Sequence, residues 1–137
     1  MKLENKEDLL KVFDAEPCLL DGKHKGFDYY LERHTTLLTW TAFIFVEDKM
    51  NRVKEWETKI DPHGGIDWID SFHGHRAMAF DFAHADDFVP FNLLILREDS
   101  ELSKPYWSLE EVKTETERVI AQLAGLRNPI QKLFEVK

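Results

Sequence analysis

Ser108, followed three residues later by Glu111 and then by apolar residues at helical spacing, constrains this chain more than any other feature. At that separation the two form a capping box: the hydroxyl accepts from a first-turn amide, and the carboxylate accepts from the amide of the capping residue. The helix so started carries Leu109, Val112, Thr116, Val119, Ile120 and Leu123 along one stripe, and Trp107 is placed to staple onto Val112. Glu110, Lys113, Glu117 and Arg118 face water, and Gly125, ahead of Asn128-Pro129, offers a left-handed cap. A long one-sided helix has to lie on an apolar surface that the rest of the chain builds.

That surface is predicted to be a sheet. Between Phe27 and Val46 aromatic and β-branched residues are dense, with Thr35, Thr36, Thr39 and Thr41 among them, and the pattern predicts two strands joined near Glu32 to His34. Ile66-Asp67-Trp68 alternates like a half-buried strand, although Ile66 and Ile69 equally suit one turn of helix. Met78, Phe80 and Phe82 alternate more cleanly, and the run from Phe91 to Leu96 predicts a further strand. A short first helix is expected over Lys2 to Ala15, stopped by Pro17, and a surface helical turn or two between Asp48 and Lys59. The expected fold class is α+β, with one domain over residues 1–137. A mainly antiparallel sheet of about four to five strands would be covered by the C-terminal helix, beside a short N-terminal one.

Composition narrows the function classes. With 137 residues, 43% of them apolar, the chain supports one core. A net charge of -8 repels phosphate backbones, and no Lys/Arg stripe reverses it locally, so nucleic acid is excluded as a partner. No apolar run approaches the ~20 residues of a membrane span, and the N-terminus lacks the apolar stretch of a signal peptide. The one cysteine, Cys18, suits a reducing compartment, and a cytoplasmic location is expected. Self-association into a homo-oligomer is left open.

The chemistry concentrates in two places. His63-Gly64-Gly65 couples an imidazole to a backbone able to turn sharply or to approach a ligand closely. In Phe80-Asp81-Phe82-Ala83-His84-Ala85-Asp86-Asp87, an extended start puts Asp81 on the face opposite Phe80 and Phe82. His84 and Asp87 follow at steps of three, a spacing that one tight turn folds to a common side. These residues make His63, Gly64, Gly65, Asp81, His84 and Asp87 the candidate ligand-binding set. Within it His63, Asp81 and His84 are the candidate ligands of a divalent metal, since imidazole and carboxylate suit zinc, manganese or iron. The same residues also read as plain structure: Pro-His-Gly-Gly is good loop composition, and Asp81 is a natural cap for backbone amides. His73 and His75 read as loop histidines, His24 as solvated, and Trp40, Phe43 and Phe45 as core.

The stretch from His63 through Leu123 resembles a family of small phage and prophage proteins. That family carries a His-Gly-Gly element, a strand ending in Gly-Phe-Asp-Cys-Ala-His-Ala-Gly-Asp, a nearby proline and a final Tyr-Val-x-x-Glu-type helix. Here these stand as His63-Gly64-Gly65, Ala79 through Asp87, Pro90, and Leu109 through Glu115. Ala79 and Asp86 replace glycines, Phe82 replaces a cysteine, and the family's upstream Gly-His has no counterpart around Arg33-His34. The resemblance implies an accessory protein acting in a host cytoplasm against host defence. It would bind a small polar, nucleotide-derived signal through His63 and His84, with Trp40 or Trp68 stacking a base. Two alternatives use other chemistry: a metal-dependent hydrolase built on the same His/Asp cluster, and an acidic inhibitor docked on a basic surface of a host defence protein.

Overall fold

The computed structural model describes residues 1–46, 59–72 and 74–126, with the backbone alone over 68–72. Helix α1 (Lys6–Ala15) leads into strands β1 (Leu19–His24), β2 (Phe27–Arg33), β3 (Trp40–Phe45), β4 (Trp68–Phe72) and β5 (His75–Asp81). Helix α2 (Pro90–Leu94), a 3-10 turn (Asp99–Ser103) and helix α3 (Leu109–Gly125) complete the order. The five strands form one antiparallel sheet, β1-β2-β3-β5-β4, and the fold is α+β. Among the described residues no helix is long and apolar enough to cross a membrane.

Pleating decides which residues meet α3. Register places Leu31 against Ala42, and Ala42 against Phe80. Phe27, Tyr29 and Leu31, Trp40, Ala42 and Ile44, and Met78 and Phe80 therefore share the buried face with Val112, Val119, Ile120 and Leu123 of α3. The capping box is present in full: the Ser108 hydroxyl accepts from the Glu111 amide and the Glu111 carboxylate accepts from the Ser108 amide. Ser108→Ala is expected to cost about 1 kcal/mol in denaturant unfolding, the ordinary worth of such a cap. An unchanged midpoint would show that the helix start is held by tertiary contacts alone. A second apolar cluster, Leu3, Leu9, Phe88, Leu93 and Tyr106, joins α1 to the segment before α3.

Several expectations change. The Phe91 to Leu96 run is not a strand: Pro90 occupies the first helical turn, where its fixed φ is pre-set for α structure. Only Leu93 of that run is fully buried, while Ile95 and Leu96 are exposed. Gly125 ends α3 without a left-handed conformation, and the cap is Leu126 in the right-handed region. Helix α1 starts at Lys6, capped by the Asn5 side chain, and not at Lys2. Strand β1 was not expected at all. It is joined to β2 by Lys25-Gly26, both left-handed at φ 48° and 80°, the geometry of a two-residue hairpin turn. The helical turn expected between Asp48 and Lys59 falls on 47–58, outside the described residues.

Candidate functional site at the end of the sheet

Strand β5 ends at Asp81, and the chain then turns through His84 to Asp87, where the Asp87 amide donates to the His84 carbonyl at 2.9 Å. Asp87 folds back so that its Oδ2 accepts from the His84 amide, also at 2.9 Å. Across from it, Pro62-His63-Gly64-Gly65 forms a turn closed by Gly65 N–H to the Pro62 carbonyl at 2.8 Å. Gly64, at φ +71°, takes the position of a type II turn that requires a positive φ. Helix α3 straps this loop in place. Glu115 accepts from the His63 amide at 2.9 Å, and Arg118 donates to both Asp61 and Glu115.

The two loops meet at Asp87, which is only 2% exposed. Its carboxylate faces His63 Nε2 at 2.8 and 2.9 Å and His84 Nδ1 at 3.1 Å. It also accepts the Trp107 indole N–H at 2.9 Å. Burial alone would raise the Asp87 carboxyl, but the His84 amide, His63 and Trp107 outweigh it and hold the group below the usual carboxylate range. An ionised carboxylate only accepts, so His63 Nε2 and His84 Nδ1 are the protonated nitrogens of their rings. The His63 ring is clamped as well, stacked on Phe82 at 5.1 Å and 9°, against Trp107 at 4.6 Å and edge-on to His84 at 5.3 Å.

With Nδ1 committed to Asp87, His84 turns Nε2 the other way, 3.4 Å from Asp81 Oδ1. Asp81 pairs with Thr41 in register, one residue off the Phe80–Ala42 pair, so it stands on the face opposite α3. Asp67, just ahead of β4, is hydrogen-bonded to Asp81. Desolvation of its carboxyl, then the charge of Asp81, push Asp67 above the usual carboxylate range. Two sets of metal-competent atoms result, each within 4.8 Å: His63, His84 and Asp87 inside, and Asp67, Asp81 and His84 outside.

All four acidic and basic side chains expected at the site are therefore brought together, with His84 at the centre. The metal set expected from sequence is divided, because His63 lies with Asp87 on one side of His84 and Asp81 lies with Asp67 on the other. Gly64 is needed twice, for its left-handed backbone and because the His84 ring fills the space where a Cβ would stand. Gly65 is left-handed at φ +87° with nothing near its Cβ position. Sequence reasoning missed Asp67, Trp107 and Glu115. The expected alternation from Ile66 to Trp68 would have brought Asp67 to the strand beside Asp81, whereas the local signal at Trp107 was a helix staple and not a site. Trp40 is 1% exposed inside the core and cannot stack a base, and the Trp68 side chain is outside the description. His34 is explained by its own turn, its Nδ1 accepting from the amides of Thr36 and Leu37, and His24 lies 3.8 Å from Glu117.

Comparison with protein families, with curated proteins and with solved structures finds no match for this chain.

Proposed function

We propose that this protein binds one divalent cation of the zinc, manganese or iron class through Asp67, Asp81 and His84 Nε2. The ion's open positions would take a small anionic ligand and activate water for phosphoester or amide hydrolysis. One observation carries the reading: an imidazole nitrogen and two carboxylates converge within 4.8 Å of one another. The inner set is self-sufficient, because Asp87 is matched by donors. The outer set is three acceptors, and only a shared proton or a cation reconciles them. The Asp67 carboxyl is raised first by desolvation and then by the charge of Asp81, and a cation between the two would relieve the second of these.

The separation also suits an ion. Bonds of about 2.0–2.2 Å place neighbouring ligand atoms about 3 to 3.5 Å apart, and His84 Nε2 and Asp81 Oδ1 stand at 3.4 Å. Asp87 then plays the part of the carboxylate that holds the far nitrogen of a metal-bound histidine and fixes its tautomer. Direct gripping of phosphates by His63 and His84 is less well supported, because the protons of both rings point at Asp87. On the phage resemblance, the anionic ligand would be a nucleotide-derived signal of host defence.

Chelator-stripped protein titrated calorimetrically with Mn²⁺ and Zn²⁺ is expected to take up one equivalent. Asp81→Asn should weaken uptake by at least about tenfold. His84→Ala should abolish it while costing roughly 1.5–3 kcal/mol of stability, the worth of the Nδ1 bond to Asp87. Wild-type protein that binds neither ion, or Asp81→Asn that binds as well as wild type, would remove the proposal.

A further inference from the structure

We propose that a groove on the N-terminal half of α3, separate from the metal ligands, takes the cationic side chain of an arginine or lysine from a basic protein partner. The groove has a volume of about 330 Å³ and is lined by Trp107, Glu110, Glu111, Thr114, Glu115 and Arg118. Trp107 is part of the lining; its ring packs against His63 and Phe82 and its N–H is already spent on Asp87, so what it offers the groove is apolar and π surface. A guanidinium or ammonium over a tryptophan face gains from the ring's quadrupole, and more when carboxylates flank it.

The charges around that surface are unequal. Glu111 is engaged by the capping box and lies 2.9 Å from the Met1 nitrogen. Arg118 is shared between Glu115 and Asp61, which leaves that trio with one net negative charge. Among the described residues Glu110 forms no ion pair, and it is exposed. Within the lining, a cation beside Trp107 therefore meets one uncompensated negative charge, that of Glu110, without breaking a pair already made. The net charge of -8 draws a basic partner toward the surface from further out.

The chain already builds the same chemistry in its interior. The Arg33 guanidinium lies 4.4 Å from the Trp40 ring and 4.8 Å from the Phe13 ring, and it donates to Glu16 at 2.8 Å. An aromatic plate, a guanidinium and a glutamate are satisfied together there by two strands and one helix end. In the α3 groove the plate and the glutamates are present on the surface, and the arginine would come from outside.

The test is an NMR titration of the full-length, ¹⁵N-labelled protein with an acetylated hexa-arginine peptide, and with hexa-glutamate for comparison. The Trp107 indole and the Glu110 and Thr114 amides are expected to shift saturably with hexa-arginine, several-fold more weakly at physiological than at low ionic strength. Glu110→Lys should weaken that binding about tenfold. Asp81→Asn should leave it unchanged, which separates this proposal from the fate of the metal site. The proposal is overturned by an unmoved Trp107 indole, by equal shifts with hexa-glutamate, or by a Glu110→Lys protein that titrates like wild type.

Discussion

Asp87→Ala is expected to destabilise the protein by about 3 to 5 kcal/mol, the range found when one partner of a buried charged network is removed. The alanine would leave the Trp107 indole N–H, the His84 amide and two imidazole N–H groups pointing at an apolar gap. Each buried donor left unmatched costs on the order of 1–3 kcal/mol, and partial rehydration keeps the total below the simple sum. Asp87→Asn keeps the shape but offers a single acceptor oxygen and turns an NH₂ toward existing donors, so it should recover only part of the loss.

The pH dependence gives an independent reading of the same change. The folded-state pKa of Asp87 lies below the ordinary value, so its contribution is fully present above the unfolded value and is lost as pH falls through the folded one. Buried Glu101 behaves alike. Burial would raise it, but Lys104, the Val89 amide and Asn92 hold it below the ordinary value. Denaturant unfolding at about pH 7 and about pH 3 should show wild-type stability falling with acid, and Asp87→Asn falling less because only the shares of Glu101, Glu111 and Asp61 remain. A variant that lost less than about 1 kcal/mol at neutral pH, with an unchanged acid limb, would mean that water already satisfies those donors.

How far the sequence disclosed this arrangement depends on whether a signal was local. The α3 start was legible because a capping box is a four-residue event, and the α3 stripe was legible because helical periodicity samples one face repeatedly. The convergence of His63, Asp81, His84 and Asp87 could be anticipated as a set, since three of the four lie within one turn and a glycine pair marks the fourth. Their division into an inner and an outer group could not be. It follows from which nitrogen of His84 faces Asp87, and that depends on Trp107, twenty residues away. Strand β1 escaped because Leu19 to His24 carries Asp21, Gly22 and Lys23, a poor strand composition; Gly22 is there because the Tyr29 ring occupies its Cβ position. The Phe91 to Leu96 run failed for the opposite reason. Apolar content suggested a strand, while Pro90 at a helix start carried the deciding information.

Helix α3 therefore does more than cover the sheet. From one face it closes the core, the residue just before its cap supplies the Trp107 indole to Asp87, and from its middle it holds the His63 loop through Glu115 and Arg118. A shift of this helix would move both histidines at once.

Gly64→Ala and Gly65→Ala should part company sharply, and the difference isolates the packing of the His84 ring. Both glycines are left-handed, at φ +71° and +87°, so an alanine at either costs about 1–2 kcal/mol for backbone alone. At Gly65 that is the whole expected effect, since nothing lies within 4 Å of the added Cβ. At Gly64 the Cβ would overlap the His84 ring. The backbone on both sides is fixed, by the Pro62–Gly65 bond on one loop and the Asp87–His84 turn on the other, so the ring is what must leave. Displacing it breaks the Nδ1 bond to Asp87, a charged hydrogen bond worth roughly 1.5–3 kcal/mol, and swings Nε2 away from Asp81. Gly64→Ala is accordingly expected to lose at least about 2 kcal/mol more than Gly65→Ala. Its divalent-cation affinity should fall by about a hundredfold, while Gly65→Ala binds as wild type. Paired unfolding curves and calorimetric Mn²⁺ titrations check both halves. Equal losses of stability would place His84 outside the Gly64 contact, and equal retention of the cation would take His84 out of the coordination set.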